Sequence, residues 1–388
     1  MPSIDTDSKR KKRSAKRRSL LPLLVFFILV LMAASGVLVY LVRNHLDASV
    51  GVDSTTRLSA QNGFSCEYSE AQKLYPFSDG ILKVTATRVA YLSLTGTEIY
   101  GVDIKMDKPF CVIRGDYALV ADTGGFFCLL LNDKGEIYQK QMEGAISFGA
   151  LSSSGLAGLI MEQQDTKGAV YLLDAQGNFL AQWNSVESGY PVSISFSPDQ
   201  TVVDIALVDT DGSSMQPRLK KIGLPTGDED KKPKDLALYT PDVSSILLSI
   251  SYIGNDRTVL AGISDILCFY GDQIQAIASY GQIISAFSVD NGVAVIYSDG
   301  LGQEVRLEYL GSDFVRGNSV VLGNTFVDAD TRDGKVVIAV DDKILLVDAA
   351  TLKTEKSVTV DTEVLKIGYK GDGTIVVVTA DSVRELTL

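Results

Sequence analysis

The stretch "DTRDGKVVIAV" (residues 330–340), followed at once by "ILLVDAATLKTEKSV" (344–358), decides the fold. A short strand meets a polar Asp-Gly turn and gives way to a strongly β-branched run. A second apolar strand then turns through Asp348 and returns as a more polar, alternating strand. Tight turns between apolar runs mark antiparallel hairpins, and two hairpins in succession make a four-stranded meander.

The turn-and-run unit recurs as "YPFSDGILKV" from Tyr75, "VIRGDYALVA" from Val112, "FGALSSSGLAGLI" from Phe148 and "FSPDQTVVDIALV" from Phe196. It continues as "YIGNDRTVLAGI" from Tyr252, "FSVDNGVAVIY" from Phe287 and "YKGDGTIVVV" from Tyr369. With Asp330 that makes eight occurrences, at spacings from about 36 to 56 residues and a mean near 42, the period of four-stranded propeller blades. Second hairpins such as "VAYLSLTGTEIYGV", "FFCLLLNDKGEIYQKQ" and "VYLLDAQGNFLAQW" fall between them, each pairing an inner buried strand with an outer edge strand. No sustained helical period follows residue 46. The fold class is therefore all-β: an eight-bladed β-propeller over residues 64–388, with seven blades as the alternative because the fourth unit is long and irregular.

The last blade, "VLKIGY", "TIVVVTA" and "SVRELTL", is one strand short, and "GFSCEYS" (63–69) is the segment available to complete it. Pairing of the chain's two ends would close the ring and remove an open edge. Cys111 then lies on the innermost strand of the second blade and Cys128 on its third. Strands two apart are separated by about 9–10 Å, so no disulfide joins them. Cys66, Cys111, Cys128 and Cys268 are too few and scattered for a disulfide framework, and three of them sit among apolar neighbours as buried thiols would.

The "FSPDQ" turn (196–200) resembles the "FSPDG" turn of WD-repeat, YVTN-type and TolB-type propellers. It departs at Gln200, where those families carry Gly, and the WD dipeptide is missing. The resemblance implies an architecture and no ligand.

Ahead of the repeats, "SKRKKRSAKRRSLLPLLVFFILVLMAASGVLVYLVRNH" (8–45) joins a basic cluster to an apolar block. Leu20–Val42 is 23 residues without a charged side chain, long enough as a helix to cross a hydrocarbon core of about 30 Å. A cleavable signal has a shorter core ending at a small-residue site, and the only candidate, "AASG" (33–36), falls mid-block. The reading is a signal anchor at 20–42. Lys9, Arg10, Lys11, Lys12, Arg13, Lys16, Arg17 and Arg18 form the flank that holds the N-terminus in the cytoplasm and meets membrane lipid headgroups. A basic cytoplasmic tail (1–19), a single-pass helix and a juxtamembrane linker (43–63) thus precede an extracellular domain in the cell membrane. This layout resembles an uncharacterised family of single-pass proteins from Gram-positive anaerobes, known only as a domain of unknown function. That resemblance implies a bacterial surface protein and says nothing about chemistry.

The chain carries −12 formally, and residues 1–45 hold nine Lys or Arg against Asp5 and Asp7, so removing their +7 leaves −19 for the rest. So acidic a domain lacks the basic footprint that nucleic acid needs. Nucleotide binding has no support either, since no GxGxxG or Walker spacing opens a helix. The single histidine, His45, sits at the mouth of the membrane helix, which excludes a Ser/His/Asp or Cys/His catalytic set and a multi-histidine zinc centre from the domain. No cofactor is expected. "DTDGSS" (209–214) begins like a calcium loop but lacks the distal Glu, and reads as a hairpin turn. "DEDKKPKD" (228–235) reads as a solvated loop, and Trp183 as a structural residue of an outer strand.

Two functions remain. The first is a non-catalytic binding or scaffold module for an envelope protein or wall polymer. The second is a carboxylate-based enzyme, or lectin-like binder, acting on an extracellular glycan. Two carboxylates 5–10 Å apart in one pocket would mark the enzyme, and acids spread around the rim the scaffold.

Overall fold

The computed structural model describes residues 62–66, 72–225, 232–243, 245–271, 273–371 and 373–388. The tail (1–19) with its eight basic residues, the apolar block (20–42), His45 and the linker up to residue 61 lie outside the described residues. Among the described residues no helix is long and apolar enough to cross a membrane.

The described residues form eight four-stranded antiparallel sheets, which settles the blade number at eight. A short strand β1 (Asn62–Ser65) comes first. Blade 1 is β2 (Gln72–Phe77), β3 (Gly80–Thr85), β4 (Arg88–Ser93) and β5 (Glu98–Asp103). Blade 2 is β6 (Pro109–Arg114), β7 (Tyr117–Asp122), β8 (Phe127–Asn132) and β9 (Gly135–Gln141), and blade 3 is β10 (Ile146–Leu151), β11 (Ala157–Met161), β12 (Gly168–Leu173) and β13 (Phe179–Ser185). The long fourth unit is a complete blade 4, with β14 (Tyr190–Phe196), β15 (Val202–Asp209), β16 (Gln216–Gly223) and β17 (Lys234–Tyr239). Blade 5 follows as β18 (Leu247–Ile253), β19 (Arg257–Gly262), β20 (Asp265–Tyr270) and β21 (Gln273–Ser279), and blade 6 as β22 (Gln282–Val289), β23 (Gly292–Ser298), β24 (Val305–Leu310) and β25 (Ser319–Gly323). Blade 7 is β26 (Phe326–Arg332), β27 (Lys335–Val340), β28 (Lys343–Asp348) and β29 (Lys353–Thr359). Blade 8 takes β30 (Val364–Gly371), β31 (Thr374–Thr379) and β32 (Ser382–Thr387) from the C-terminus and β1 as its outermost strand.

Each quoted turn-and-run unit spans the first two strands of one blade. Their second strands are buried on both sides, and alternate residues serve different neighbours. In β27, Val337 and Ala339 join a cluster with Ile367, Ile375 and Val377 of blade 8. Val336, Ile338 and Val340 join one with Val289, Ala294 and Ile296 of blade 6. The same division holds in β31, where Ile375 and Val377 face blade 7 while Val376 and Val378 pack with Ile81 of blade 1. A strand alternates sides residue by residue, so an unbroken apolar run is what a strand between two sheets requires.

The expected end-to-end closure is present: Asn62 pairs with Glu385 and Ser65 with Ser382, antiparallel. The strand begins at Asn62, two residues ahead of Phe64. Phe64 packs against the cluster of Ile81, Leu92, Val376 and Val383 that joins blades 8 and 1. Because β1 runs opposite to β32, Asn62 and Leu388 lie on one face of the disc, the one bearing the turns between strands one and two and between strands three and four. We call it the hairpin face, and the opposite one, with the blade-to-blade connections, the link face.

Gln200 sits at φ +58, the left-handed region where its resembled families place Gly. Its side chain explains the departure. Oε1 accepts hydrogen bonds from the Ser152 hydroxyl at 3.2 Å and from Ser154, tying the blade 4 turn to that of blade 3.

Phe64→Asp should lower stability by about 2–4 kcal/mol, by setting a charge against the apolar cluster on which the partly buried Phe64 packs. Ile99→Asp, at an exposed position on β5, should cost less than about 0.5 kcal/mol in the same urea titration. Gln200→Ala keeps the backbone strain and loses both bonds, and should be less stable than Gln200→Gly by about 1 kcal/mol in thermal melts.

Candidate interaction surface

Carboxylates ring the hairpin face. The turns between the first two strands of blades 1, 2, 4, 5, 6 and 7 carry Asp79, Asp116, Asp199, Asp256, Asp290 and Asp333 in that order, and that of blade 3 carries serines. The turn chemistry accounts for them: Asp290 and Asp333 occupy left-handed positions (φ 51 for both), which Asp tolerates better than most side chains. Asp199 accepts bonds from the Ser197 hydroxyl (2.7 Å) and from the Thr201 hydroxyl (2.9 Å) and N–H (3.1 Å), and the Ser197 bond leads the effects that lower its pKa. These acids are spread around a rim.

Two acids do share one inner strand. Asp328 and Asp330 on β26 lie two residues apart, about 7 Å along the strand. Each has a structural partner: Asp328 Oδ2 accepts the Ile367 N–H (2.9 Å) and Asp330 Oδ2 the Tyr369 N–H (2.7 Å), stitching β26 to the next blade. Burial raises the Asp328 pKa, with the neighbouring Asp330 adding to it, while the Ile367 N–H and Lys366 oppose the shift. Lys366 Nζ stands 3.8 Å from Asp328 and 5.5 Å from the centre of the Tyr75 ring. Desolvation pushes Tyr75 and the Cys111 thiol each up to about 12, so neither is an activated nucleophile at neutral pH. Among the described residues no group of three or more His, Cys, Asp or Glu is placed to hold a metal ion.

Two of the most deeply buried acids serve joints between blades. Asp204 is fully buried on β15, directly opposite Lys221 on β16. Lys221 Nζ donates to both its oxygens (3.0 and 2.7 Å) and to Thr258 Oγ1 of blade 5 (2.8 Å), while the Thr258 hydroxyl lies 2.8 Å from Asp204 Oδ2. The Tyr252 pKa rises because of burial first and Asp204 second. Between blades 5 and 6, buried Glu308 holds Arg316 at 3.2 Å and accepts the Gly317 N–H at 2.7 Å. Arg316 in turn stacks 4.1 Å from the Tyr280 ring and donates to the Ser279 carbonyl at 2.6 Å. A charge removed from water this completely must be paired, so these groups are committed to the scaffold.

The remaining expectations resolve simply. Cys111 and Cys128 lie on the first and third strands of blade 2, and all four cysteines are free thiols. Trp183 is buried in the cluster between blades 3 and 4. "DTDGSS" is the β15–β16 turn, with Asp209 paired to Arg218 at 2.5 Å and Asp211 to Lys167 at 2.5 Å. Residues 226–231, most of the acidic run ahead of Pro233, lie outside the described residues. A groove of about 870 Å³ between β1 and blade 1 has Arg88 on its wall, already paired with Glu98 (2.6 Å) and Asp103 (2.5 Å).

What the sequence reading missed is a sector. Large apolar side chains that stand exposed gather on blades 4–6: Leu236 and Leu238 on β17, Leu248 on β18, Ile274 and Ile277 on β21, and Val321 on β25. Blades 7 and 8 have none among the described residues. The signal was faint, because in sequence each such residue is one more apolar position in an apolar strand.

The closed ring of four-stranded meanders defines the class: a β-propeller. The chain belongs to the family of unknown function DUF5711, whose match covers residues 53–388. Among solved structures it is similar to BamB from Moraxella catarrhalis (10% identity, TM-score 0.54, 85% of this chain and 98% of that one). It is also similar to the computationally designed Ika8 protein (14%, TM-score 0.59, 85% and 98%). A third likeness is to Chaetomium thermophilum Sqt1, solved bound to the N-terminus of the ribosomal protein L10 (13%, TM-score 0.56, 82% and 92%). At such identities the likeness is one of fold. No curated protein matches the chain.

Lys221→Met should cost about 3–5 kcal/mol, because it strands the Asp204 carboxylate in the interior. Adding Asp204→Leu should recover most of the loss, a coupling that a double-mutant cycle in urea would measure.

Proposed function

We propose that the protein is a membrane-tethered, non-catalytic binding module whose propeller stands outside the cell membrane and engages an envelope partner. The observation that carries this reading is the division of labour on the disc: the buried acids Asp204 and Glu308 are spent on blade joints, while exposed apolar side chains collect in one sector. An apolar patch with no internal role is the ordinary mark of a protein-binding surface.

Residues 20–42 supply the anchor in this reading, with the flank Lys9–Arg18 in the cytoplasm. The chain enters the ring at Asn62 on the hairpin face. Residues 43–61 tether the propeller to the anchor in this reading, and tethering raises its effective concentration toward other envelope components. That Sqt1 was solved bound to a peptide segment supports the use of such a ring as a binding platform.

A second reading, a carboxylate enzyme or lectin-like binder acting on a glycan, is favoured by the Asp328/Asp330 pair and the raised pKa of Asp328. Its carboxylates would have to leave the backbone N–H groups they now hold.

Crosslinked affinity isolation of the tagged full-length protein from membranes, against a protein truncated after the anchor, separates the two. We expect an envelope protein retained by the full-length chain alone, and unchanged by Asp328→Asn/Asp330→Asn. Co-purification of glycan in place of protein, lost in that double variant, would overturn the binding-module reading.

A further inference from the structure

We propose that the outer edge of blade 5, strand β21, is the docking site, and that its occupant is an extended, basic segment of a partner protein that adds to the sheet as a fifth strand. The inference deepens the binding-module reading and rests on it.

β21 (QIQAIAS) is the edge of its sheet, paired on one side only, with β20. An unpaired edge is a template for another strand, and proteins commonly guard it with charge, above all lysine. The outermost strands β5, β9, β17 and β29 all carry charges, as in KTEKSVT of β29. β21 carries none and exposes two isoleucines, Ile274 at 38% and Ile277 at 46%. β1, β13 and β25 are also uncharged, but β1 and β13 have no large apolar residue exposed and β25 has only Val321. A bulge at Gln275 interrupts the register, as bulges do in blades 1 to 7. Beyond it Ala276–Ser279 pair regularly with Asp265–Cys268, and Arg316 caps the far end of this edge at the Ser279 carbonyl, so the open stretch is the one around Ile277.

Charge selects the occupant. The sequence contains no lysine between Lys234 and Lys335. From Leu247 to Gly323, blades 5 and 6 hold eight acids against three arginines. Arg306 and Arg316 are paired with Glu304 and Glu308, and Arg257 donates to the Ser312 carbonyl. A second copy of this chain would bring one acidic surface against another. A strand alternating Lys or Arg with aliphatic residues meets both features: its backbone completes the ladder, its apolar face covers Ile277, and its cations complement the net negative charge of blades 5 and 6.

The test uses the full-length protein in nanodiscs of neutral lipid and three labelled ten-residue peptides. One alternates Lys with Ile or Val, one replaces every Lys by Glu, and one carries a central Pro. Fluorescence anisotropy should show the basic strand peptide binding at least 10-fold more tightly than either control, with affinity falling as salt rises. Hydrogen exchange should slow within 273–279 on binding. Ile277→Lys, and separately the solvent-facing Gln273→Lys, should each weaken binding by 10-fold or more without moving the melting temperature. Equal binding of the acidic or Pro peptide, or protection on another strand, would overturn the proposal. So would dimerisation that Ile277→Lys abolishes, which would assign the edge to a second copy. Should the peptides fail while the crosslinked isolation still retains a protein through the propeller, the docking mode is wrong and the binding-module reading stands.

Discussion

The molecule depends on one constraint: the second strand of every blade is mainly apolar and buried on both faces, so no blade can be stable alone. Val336–Val340 show it most plainly, with alternate side chains given to blades 6 and 8. Eight such sheets satisfy one another only in a closed circle, because an open array would leave two apolar faces wet. The short strand β1 supplies that closure, and Phe64 inserts where the circle meets itself. Hence a four-residue strand matters more to stability than its length implies.

The joints are not identical. Between blades 4 and 5 the apolar cluster is small, built on Leu219, Leu247, Leu260, Leu267 and Phe269, and beside it Asp204, Lys221 and Thr258 form a buried polar clasp. Blades 5 and 6 add the Glu308–Arg316 pair stacked on Tyr280. Such groups add less to stability than aliphatic packing of equal volume, but they fix geometry, since a buried carboxylate tolerates few arrangements. Both clasps border blade 5, whose outer strand carries no charge and exposes two isoleucines. A rigidly held blade with an unguarded edge is well suited to receive a strand without rearranging.

Much of this was legible from residues alone. Apolar runs after turns rich in Asp, Gly and Ser located all eight first hairpins, because turn chemistry and period-2 patterning are local properties. The missing strand of the last blade announced itself by arithmetic. Gln200 was visible as a departure, yet its partners Ser152 and Ser154 lie nearly fifty residues away, and only the ring brings them together. Asp204 was hidden inside "FSPDQTVVDIALV" for the same reason: whether a lone acid in an apolar run faces solvent or a lysine depends on the neighbouring sheet. The apolar sector was equally invisible, since exposure of Ile277 or Leu238 is set by which strand is outermost. The absence of lysine from 235 to 334 could have been noticed, and would have pointed to blades 5 and 6.

The account stands or falls on where a partner touches the ring. A photo-crosslinking residue placed in living cells at one position on the outermost strand of each blade, Ile99, Gln139, Gln182, Leu238, Ile277, Val321, Glu355 and Asn62, would map that contact directly. The account predicts one protein adduct concentrated at Ile277, weaker at Leu238 and Val321, and missing from blades 7, 8 and 1. Adducts spread evenly around the rim, or concentrated at Glu355 and Asn62, would contradict it.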